Sequence, residues 1–208
     1  MKLSQILGQP EMDLTNFTEI EKRDLAMKDI DGLIAYKKEL DKKEFEEQFG
    51  NGIKLNLGCG NRKKEGFTNI DLRESVNPDI VWDLENGLPK SIRENSVTGV
   101  YAFHILEHIR NLIPLMEDIY RVCKNKAKVY ISAPYFKATL AFSDPTHVRF
   151  FTEHTFEYFS QQHREKNLEK FDYNIKCDFN ILDTVIDDNG IMAVTMEVIK
   201  CQKKKKKN

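Results

Sequence analysis

The sequence predicts an α/β fold whose sheet is mostly parallel and ends in an antiparallel hairpin. Strand-like segments alternate with helical patterns over residues 53–133, an order that is typical of a parallel sheet. The last predicted strands, residues 175–187 and 191–200, flank an Asn-Gly pair, which favours a hairpin turn. A turn with glycines follows the first strand at residues 57–60, and open α/β sheets bind their ligands at such strand ends.

Short β-rich segments make up the first half of the predicted sheet. Residues 53–57 alternate apolar and polar side chains and run into the glycines, and residues 68–72 form the next strand. Residues 79–83 and 97–103 are the third and fourth strands. The connection between the first two strands is too short for a normal crossover helix, so we expect that crossover to be nearly absent.

A helix and a fifth strand come next. Apolar residues recur at helical spacing over residues 111–124, and Asn111 is the predicted N-cap. Residues 127–133 form a strand that Pro134 stops, because proline lacks the backbone donor that a ladder needs. Thr152 is predicted to cap a short aromatic helix that ends near Phe159.

The chain divides into three parts. Residues 1–50 predict a helical N-terminal extension, because Thr18 and Glu21 have the spacing of a capping box and Gly32 breaks the pattern. Two interpretations of this extension stay open: a solvated helical surface, which its charge favours, and a lid over the active site. Residues 51–202 form the globular domain, and residues 203–208 are a Lys-rich tail.

Composition narrows the class of protein. The 32 Lys and Arg residues balance 33 Asp and Glu residues, whereas dedicated nucleic-acid binders usually carry a basic excess. None of the 4 cysteines belongs to a Cys-x-x-Cys pair, so neither a zinc motif nor a redox motif is expected. No apolar run is long enough to span a bilayer, and no signal-peptide pattern opens the sequence. These features predict a cytoplasmic protein without a membrane span.

The glycine turn and the next strand indicate a nucleoside ligand. Gly58 and Gly60 allow the backbone to approach a ligand closely, and the Asp71 carboxylate can accept both ribose hydroxyls. Lys63 stands where a dinucleotide motif has its third glycine, and Asp71 follows Gly58 too soon for that motif. The pattern therefore disfavours NAD and FAD, while a purely structural turn is an equally open interpretation of the glycines.

Several segments together resemble class I S-adenosyl-L-methionine (SAM)-dependent methyltransferases. Residues 55–60 are similar to the glycine motif of that family, and residues 69–72 are similar to its acidic motif. Further similar segments are residues 82–89, 95–97, 104–108 and 116–126, and residues 144–152 are similar to a loop in a branch of small bacterial and phage methyltransferases.

This resemblance implies a seven-stranded Rossmann-like sheet with SAM as the cofactor and methyl transfer to an oxygen or nitrogen. Gly58 and Gly60 would face the methionine part, Asp71 would hold the ribose, and His104 would lie below the sulfonium. Asp83 and Leu84 would flank the adenine. The implied cofactor-binding residues are Leu57, Gly58, Cys59, Gly60, Asp71, Leu72, Asp83, Leu84, Phe103 and His104.

The loop after the fifth strand contains the catalytic candidates. His147 is the first candidate for a general base or a substrate contact, because histidine titrates near neutral pH. Asp144 would orient it, Arg149 would pair an acidic substrate group, and His104 and His108 complete the set. Equally open is a structural role, in which Asp144 starts a turn and His147 caps the aromatic helix.

Two other functions remain as alternatives. One is a metal-dependent hydrolase that uses His104, Glu107 and His108, although the methyltransferase interpretation requires no metal. The other is a non-catalytic module that binds SAM for regulation. For the methyltransferase we expect a small-molecule or glycan acceptor rather than a nucleic acid, since no basic groove is evident.

Overall fold

The computed structural model of the chain describes residues 52–167 and 174–200. Our predictions for the N-terminal extension, residues 1–50, and for the Lys-rich tail, residues 203–208, lie outside these ranges. The described residues form a seven-stranded sheet. Its strands are β1 (Ile53–Leu57), β2 (Thr68–Asp71), β3 (Ile80–Val81), β4 (Val97–Phe103), β5 (Cys123–Pro134), β6 (Phe179–Ile186) and β7 (Ile191–Val198).

The sheet has the strand order β3-β2-β1-β4-β5-β7-β6. Strands β1 to β5 pair in parallel, and β7 pairs antiparallel with both β5 and β6. This topology confirms the predicted α/β fold with a C-terminal antiparallel hairpin. Because the chain moves outward from β1 to β3 and returns to β4, the strand order reverses next to β1, where such sheets bind ligands.

The connections differ between the two halves of the sheet. In the first half they carry only single 3₁₀ turns, at Glu74–Val76 and Leu84–Asn86. No helix lies between β1 and β2, which confirms the predicted loss of that crossover. The later helical segments are a 3₁₀ turn at Leu106–His108, α1 (Leu112–Val122), α2 (Leu140–Ser143), a 3₁₀ helix at Thr155–Phe159, and α3 (Gln161–Asn167).

Helix α1 packs one apolar face against the sheet. Its buried residues are spaced three or four apart, so they form a single stripe: Leu112, Leu115, Met116, Ile119 and Val122. The predicted end at residue 124 was too late, because Cys123 already pairs with Val97 in β4. Asn111 occupies the N-cap position, but its side chain donates to the carbonyl of Glu85 instead of capping the helix.

Polar side chains hold the crossover between β1 and β2 in place of a helix. The buried Asn56 amide donates to Asn69 Oδ1 at 2.9 Å and to the carbonyl of Arg62 at 3.0 Å. Asn69 in turn donates to the carbonyl of Lys64 and to Asp79 Oδ2, and it accepts from the Lys64 amide. The hydrogen bonds from Asn69 also hold the pKa of Asp79 below its ordinary value.

The C-terminal hairpin is confirmed with a shorter first strand. Strand β6 begins at Phe179 rather than at residue 175, since its register with β7 starts with the pair of Phe179 and Val198. The turn contains Gly190 at φ 73°, and Asp187 Oδ1 accepts from the amides of Asn189 and Ile191. The side chain of Asp187 therefore organises the turn that the Asn-Gly pair predicted.

The predicted aromatic helix is a 3₁₀ segment that starts later than expected. It spans Thr155–Phe159, and the hydrogen bond from the amide of His154 to Thr152 Oγ1 is long, at 3.3 Å. Phe151, Phe156 and Phe159 are buried in the core, whereas Phe150 and Tyr158 are exposed. Within the described part of the chain, no helix is long and apolar enough to cross a membrane.

Candidate active site

The glycine turn lies at the carboxyl end of β1, in the centre of the sheet. Gly58 and Gly60 have φ values of 60° and 49°, a left-handed conformation that side chains other than glycine rarely adopt. A Cβ atom at position 58 would lie only 2.4 Å from Cγ1 of Ile105. Glycine is therefore required at position 58 both by the backbone and by the close approach of the β4 loop.

Asp71 ties the glycine turn to the end of β2. Its Oδ2 accepts from the amide of Gly60 at 2.7 Å, and its Oδ1 accepts from the amide and Nε of Arg73 at 2.9 and 3.3 Å. The carboxylate is buried, whereas the Arg73 side chain is 61% exposed. A carboxylate offers about four lone-pair positions, so Oδ2 retains one, and displacing Arg73 Nε would release another.

The predicted adenine contacts have contrasting environments. Asp83 Oδ1 accepts from the amide of Glu85 at 2.9 Å and so caps the following 3₁₀ turn. Leu84 is buried in the core, so its side chain does not face an open site. Leu72, directly after Asp71, is 62% exposed and offers an apolar surface at the same sheet edge.

Leu57 and Cys59 lie inside the protein. Leu57 is fully buried, and the amide of Cys59 donates to the carbonyl of Ile70 at 3.0 Å. Burial raises the pKa of the Cys59 thiol, and the nearby Asp71 charge acts in the same direction. Both side chains support the turn from behind, so any ligand contact at these positions would come from the backbone.

Phe103 is the last residue of β4, and His104 directly follows it. His104 has a φ of 51°, which is uncommon outside glycine, and its amide donates to the carbonyl of Ser132 at 2.8 Å. Its ring lies edge-on to Phe103, with 4.5 Å between the ring centroids. The Arg62 guanidinium lies over the Phe103 ring, with Cζ 4.8 Å from the ring centroid. This contact places a cation two residues after Gly60 against the end of β4.

His104 contacts a deeply buried carboxylate. Its Nδ1 lies 3.0 Å from Oε1 of Glu107, whose side chain is 1% exposed. The second oxygen, Oε2, is buried and has no hydrogen-bond partner within residues 52–167 and 174–200. Buried polar atoms are nearly always paired, so this oxygen marks Glu107 as a functional candidate.

The loop after α2 is fixed on the same segment. The amides of Val148 and Arg149 both donate to the carbonyl of Glu107, at 2.9 and 3.2 Å. Arg149 Nε donates to the carbonyl of Ile109 at 2.7 Å, and Nη2 donates to that of Arg110. Arg149 therefore attaches the loop to residues 107–110, and two of its donor nitrogens are already engaged within the protein.

The side chains of His147 and Asp144 lie close together without a hydrogen bond between them. Nε2 of His147 is 3.9 Å from Oδ2 of Asp144, and Nδ1 of His147 contacts the carbonyl of Ala141 at 2.9 Å. Asp144 does start a turn, because its carbonyl accepts from the His147 amide. The His147 ring does not cap the aromatic helix, so only one of the two predicted structural roles, the turn at Asp144, is present.

Thr146 links Asp144 to His108. The Thr146 hydroxyl and amide both lie within hydrogen-bond distance of Asp144 Oδ1, at 2.6 and 2.8 Å, and these bonds lower the pKa of Asp144. The same hydroxyl lies 2.9 Å from Nδ1 of His108, whose ring stands edge-on to His147 at 4.8 Å. The structure thus brings three predicted residues together through a threonine.

Sequence reasoning overlooked several residues of the site. Arg73 follows the acidic motif and contacts Asp71, and Ile105 lies within residues 104–108 and packs close to Gly58; no sequence pattern indicates either contact. Thr146 was detectable, since an aspartate two residues before a threonine is a common turn pattern. Among the described residues, the side chains close enough together to hold a metal are Glu107, His108 and His147, so His147 takes the place that the sequence had suggested for His104.

A separate groove of about 520 Å³ runs along α1 and is lined by charged residues such as Lys90, Glu117 and Lys176. It contains none of the predicted site residues. Its mixed charge provides no preference for one class of ligand. The carboxyl edge of the sheet is therefore the better candidate for the active site.

Comparison with known proteins places this fold. No family model and no curated protein matches the chain. Among solved structures, a SAM-dependent methyltransferase from Archaeoglobus fulgidus is similar with a TM-score of 0.52 and 17% identity, over 74% of this chain and 90% of that one. The fold is that of the class I SAM-dependent methyltransferases.

Two further similar structures have different activities on the same fold. A SAM-dependent methyltransferase from Aquifex aeolicus has a TM-score of 0.51 and 15% identity, over 76% of this chain and 90% of that one. The (4+2)-cyclase SpnF has a TM-score of 0.50 and 13% identity, over 72% of this chain and 75% of that one. Because a cyclase shares the fold, the chemistry has to be argued from the site.

Proposed function

We propose that this protein is a SAM-dependent methyltransferase that acts on an oxygen or nitrogen of a small-molecule or glycan acceptor. The observation that carries the proposal is Asp71, a buried carboxylate hydrogen-bonded to the Gly60 amide at 2.7 Å beside the point where the strand order reverses. That position is the one from which an acid reaches a ribose in Rossmann-like sheets.

The residues at this edge fit a nucleoside ligand. The remaining lone pair on Asp71 Oδ2, and the one released when Arg73 moves, would accept the two ribose hydroxyls. Leu72 offers an exposed apolar surface for the adenine, and Asp83 lies beyond it at the end of β3. The backbone of Gly58 to Gly60 would face the methionine part, where a side chain would block the approach.

His104 would lie on the reactive side of the cofactor. SAM supplies a methyl group on a sulfonium, so the protein has mainly to hold the acceptor in line with it. The strained backbone of His104 and its contact with Glu107 fix this ring at the end of β4. A fixed ring beside the reacting centre fits the role of positioning rather than of covalent chemistry.

The acceptor would bind against His108 and His147. Because the Ala141 carbonyl can only accept, Nδ1 of His147 carries a hydrogen, and in the neutral ring Nε2 presents a lone pair. That lone pair suits the removal of a proton from a hydroxyl or amine, with Asp144, 43% exposed, forming the rim. We keep Arg149 in the acceptor site, chiefly as the residue that holds the loop.

An exposed aromatic pair favours an acceptor with an apolar ring face. Along the chain, Phe142 precedes and Phe150 follows His147, and their rings stack with 4.4 Å between the centroids. The two residues are 61% and 47% exposed. Sugar rings and small aromatic metabolites both present such faces. This feature supports a glycan or small molecule over a charged polymer.

Calorimetric titration of the full chain with SAM and S-adenosylhomocysteine tests the cofactor. We expect micromolar binding of both, and a loss of at least 100-fold in Asp71→Ala, because the ribose hydroxyls lose their acceptor. Asp71→Asn, which keeps one acceptor oxygen, should bind with intermediate affinity. Asp183→Ala, at an exposed position of β6, is the matched control and should bind normally.

Two results would contradict the proposal. If the folded chain binds neither ligand, the cofactor assignment fails. If it binds SAM but releases no S-adenosylhomocysteine with any hydroxyl or amine acceptor in a broad screen, a regulatory SAM-binding module is the better interpretation. In an active protein, His147→Ala should lower turnover without changing the affinity for SAM.

A further inference from the structure

Three side chains from two separate segments converge beside the proposed acceptor site. One ring nitrogen each from His108 and His147 and one carboxylate oxygen of Glu107 lie within 4.8 Å of one another. Glu107 and His108 follow β4, whereas His147 belongs to the loop after α2. The contacts between this loop and residues 107–110 hold the three groups together.

The hydrogen bond that His147 makes through Nδ1 leaves the lone pair of the neutral ring on Nε2. Its Nδ1 lies 2.9 Å from the Ala141 carbonyl, which accepts but cannot donate. Nδ1 therefore carries the hydrogen, and Nε2 is the unprotonated nitrogen of the neutral ring. A backbone carbonyl that holds one nitrogen while the other points into a site is the usual arrangement of a metal-binding histidine.

His108 is held in the same way by a different partner. The Thr146 hydroxyl lies 2.6 Å from Asp144 Oδ1, and a hydroxyl gives its hydrogen preferentially to a carboxylate. Its oxygen then accepts from Nδ1 of His108, at 2.9 Å. This leaves the lone pair of His108 on Nε2 as well, and Asp144 acts on the ring through Thr146.

Glu107 provides the independent indication of a ligand. Its side chain is 1% exposed, Oε1 is taken by His104, and Oε2 has no partner among the described residues. A buried carboxylate oxygen is costly to leave unpaired. A cation bound between Glu107 and the two histidines would satisfy it.

We propose that Glu107, His108 and His147 bind one divalent transition-metal ion of the zinc class. Two imidazoles and one carboxylate suit zinc, whereas magnesium and calcium prefer sites made only of oxygen. Zinc bonds of 2.0–2.1 Å in a tetrahedral site separate the ligands by about 3.3 Å. Loading would therefore draw the three groups inward by at most about 1.5 Å.

Three protein ligands leave one coordination position for an oxygen or nitrogen of the acceptor. In this respect the inference rests on the proposed function and deepens it: with the ion bound, Nε2 of His147 is a ligand, and the ion holds the acceptor in place of the free imidazole. Metal binding itself does not depend on methyl transfer. The two proposals can therefore be tested separately in one protein.

The test is a titration of the full chain, stripped with a chelator, first with Zn²⁺ against a competing indicator and then with Co²⁺. We expect one ion per chain and a Co²⁺ absorption spectrum of a tetrahedral site without thiolate bands. His108→Ala and His147→Ala should each weaken binding at least 100-fold. Thr146→Val, which removes only the link between Asp144 and His108, should weaken it 10- to 100-fold.

The chain offers a matched control in a second histidine–carboxylate contact. His154 Nδ1 lies 3.2 Å from Oε2 of Glu157 on the surface, and the His154 side chain is 69% exposed. His154→Ala should bind zinc like the unchanged protein. Circular dichroism and the melting temperature measured without zinc show whether each variant is folded.

Two results overturn the inference: no stoichiometric zinc in the folded chain, or zinc binding that survives both His108→Ala and His147→Ala. Titration of the same samples with S-adenosylhomocysteine separates this failure from that of the proposed function. Nucleoside binding without zinc refutes only the metal site. Zinc binding without the nucleoside refutes only the methyltransferase.

Discussion

The two halves of the sheet are held together in different ways. Strands β1 to β3 are joined without α-helices, and buried asparagines tie their connections to the strands. Strands β4 and β5 are joined by α1, which buries a continuous apolar stripe. The first half thus depends on directional hydrogen bonds, and the second depends on packing.

Because of this difference, the residues that position the site are not the residues that contribute most of the stability of the sheet. Hydrogen bonds from Asn56 and Asn69 fix individual carbonyls and amides, so they position the backbone next to the glycine turn and Asp71. Apolar packing of α1 is less directional and stabilises the whole sheet. Substitutions in the two halves should therefore affect cofactor binding and unfolding differently.

The largest effect should come from Asn69→Ala. The change removes one of the two acceptors of the buried Asn56 amide and the side-chain acceptor of the Lys64 backbone amide, and each lost hydrogen bond at such a site costs about 1–3 kcal/mol. We expect the free energy of unfolding in urea to fall by about 4 kcal/mol. Binding of S-adenosylhomocysteine should weaken at the same time, because the glycine turn loses its support.

Asn180→Ala, the same substitution at an exposed position of β6, is the control and should change stability by less than about 0.5 kcal/mol. If Asn69→Ala costs no more than Asn180→Ala, the polar network does not hold the crossover.

In the other half, Ile119→Ala should destabilise the fold without altering the site. Ile119 is fully buried on the sheet-facing side of α1. Truncating a buried isoleucine to alanine costs about 3 kcal/mol through lost burial and the cavity that remains. The affinity for S-adenosylhomocysteine of the folded fraction should stay unchanged. Ile113→Ala, on the exposed side of the same helix, should be nearly neutral; a loss of affinity in Ile119→Ala would contradict the separation of the two halves.

Gly58→Ala tests the boundary between the two halves, where the turn after β1 packs against Ile105 in the loop that follows β4. The left-handed backbone alone costs a residue with a Cβ about 1–2 kcal/mol, and the contact with Ile105 adds to it. We expect a loss of about 2 kcal/mol in stability and a larger proportional loss in cofactor affinity.

Ile105→Ala in the same chain separates the two causes of the Gly58→Ala effect. The double variant should regain the part that is due to the collision but not the part that is due to the backbone. Full recovery in the double variant would show that the backbone conformation of Gly58 does not matter.

The smallest effect is expected for Asp83→Ala. Asp83 caps a single 3₁₀ turn, and loss of such a cap costs about 1 kcal/mol. Thermal unfolding should show this small shift, while calorimetry should show weaker SAM binding if Asp83 also contacts the adenine. An unchanged SAM affinity would restrict Asp83 to the structural role.

The sequence predicted the sheet well because strand patterns depend on neighbouring residues. Residues 97–103 and 53–57 are strands with the predicted bounds, since the β-rich runs end at turn residues on both sides. The missing crossover was also predictable, because it follows from the distance along the chain. The strand bounds failed where pairing decided them, as at Cys123 and Phe179.

The candidate site was predicted only in part. The glycines and Asp71 lie in local motifs, so their position at the sheet edge follows once the strands are known. The contacts of Arg73 with Asp71, of Ile105 with Gly58 and of His104 with Glu107 depend on backbone angles and packing that the sequence does not display. Most roles assigned to these residues stay predictions that the experiments above address.

By itself, the sequence determined the α/β fold, the turn at Gly58 to Gly60 and the carboxylate at the end of β2. Only the tertiary structure decided that His147 meets Glu107 and His108, and that Arg149 holds the loop there. The physical reason is range. Periodicity and turn chemistry act between neighbours in the chain, whereas a site built from residues about 40 positions apart exists only after the sheet has folded.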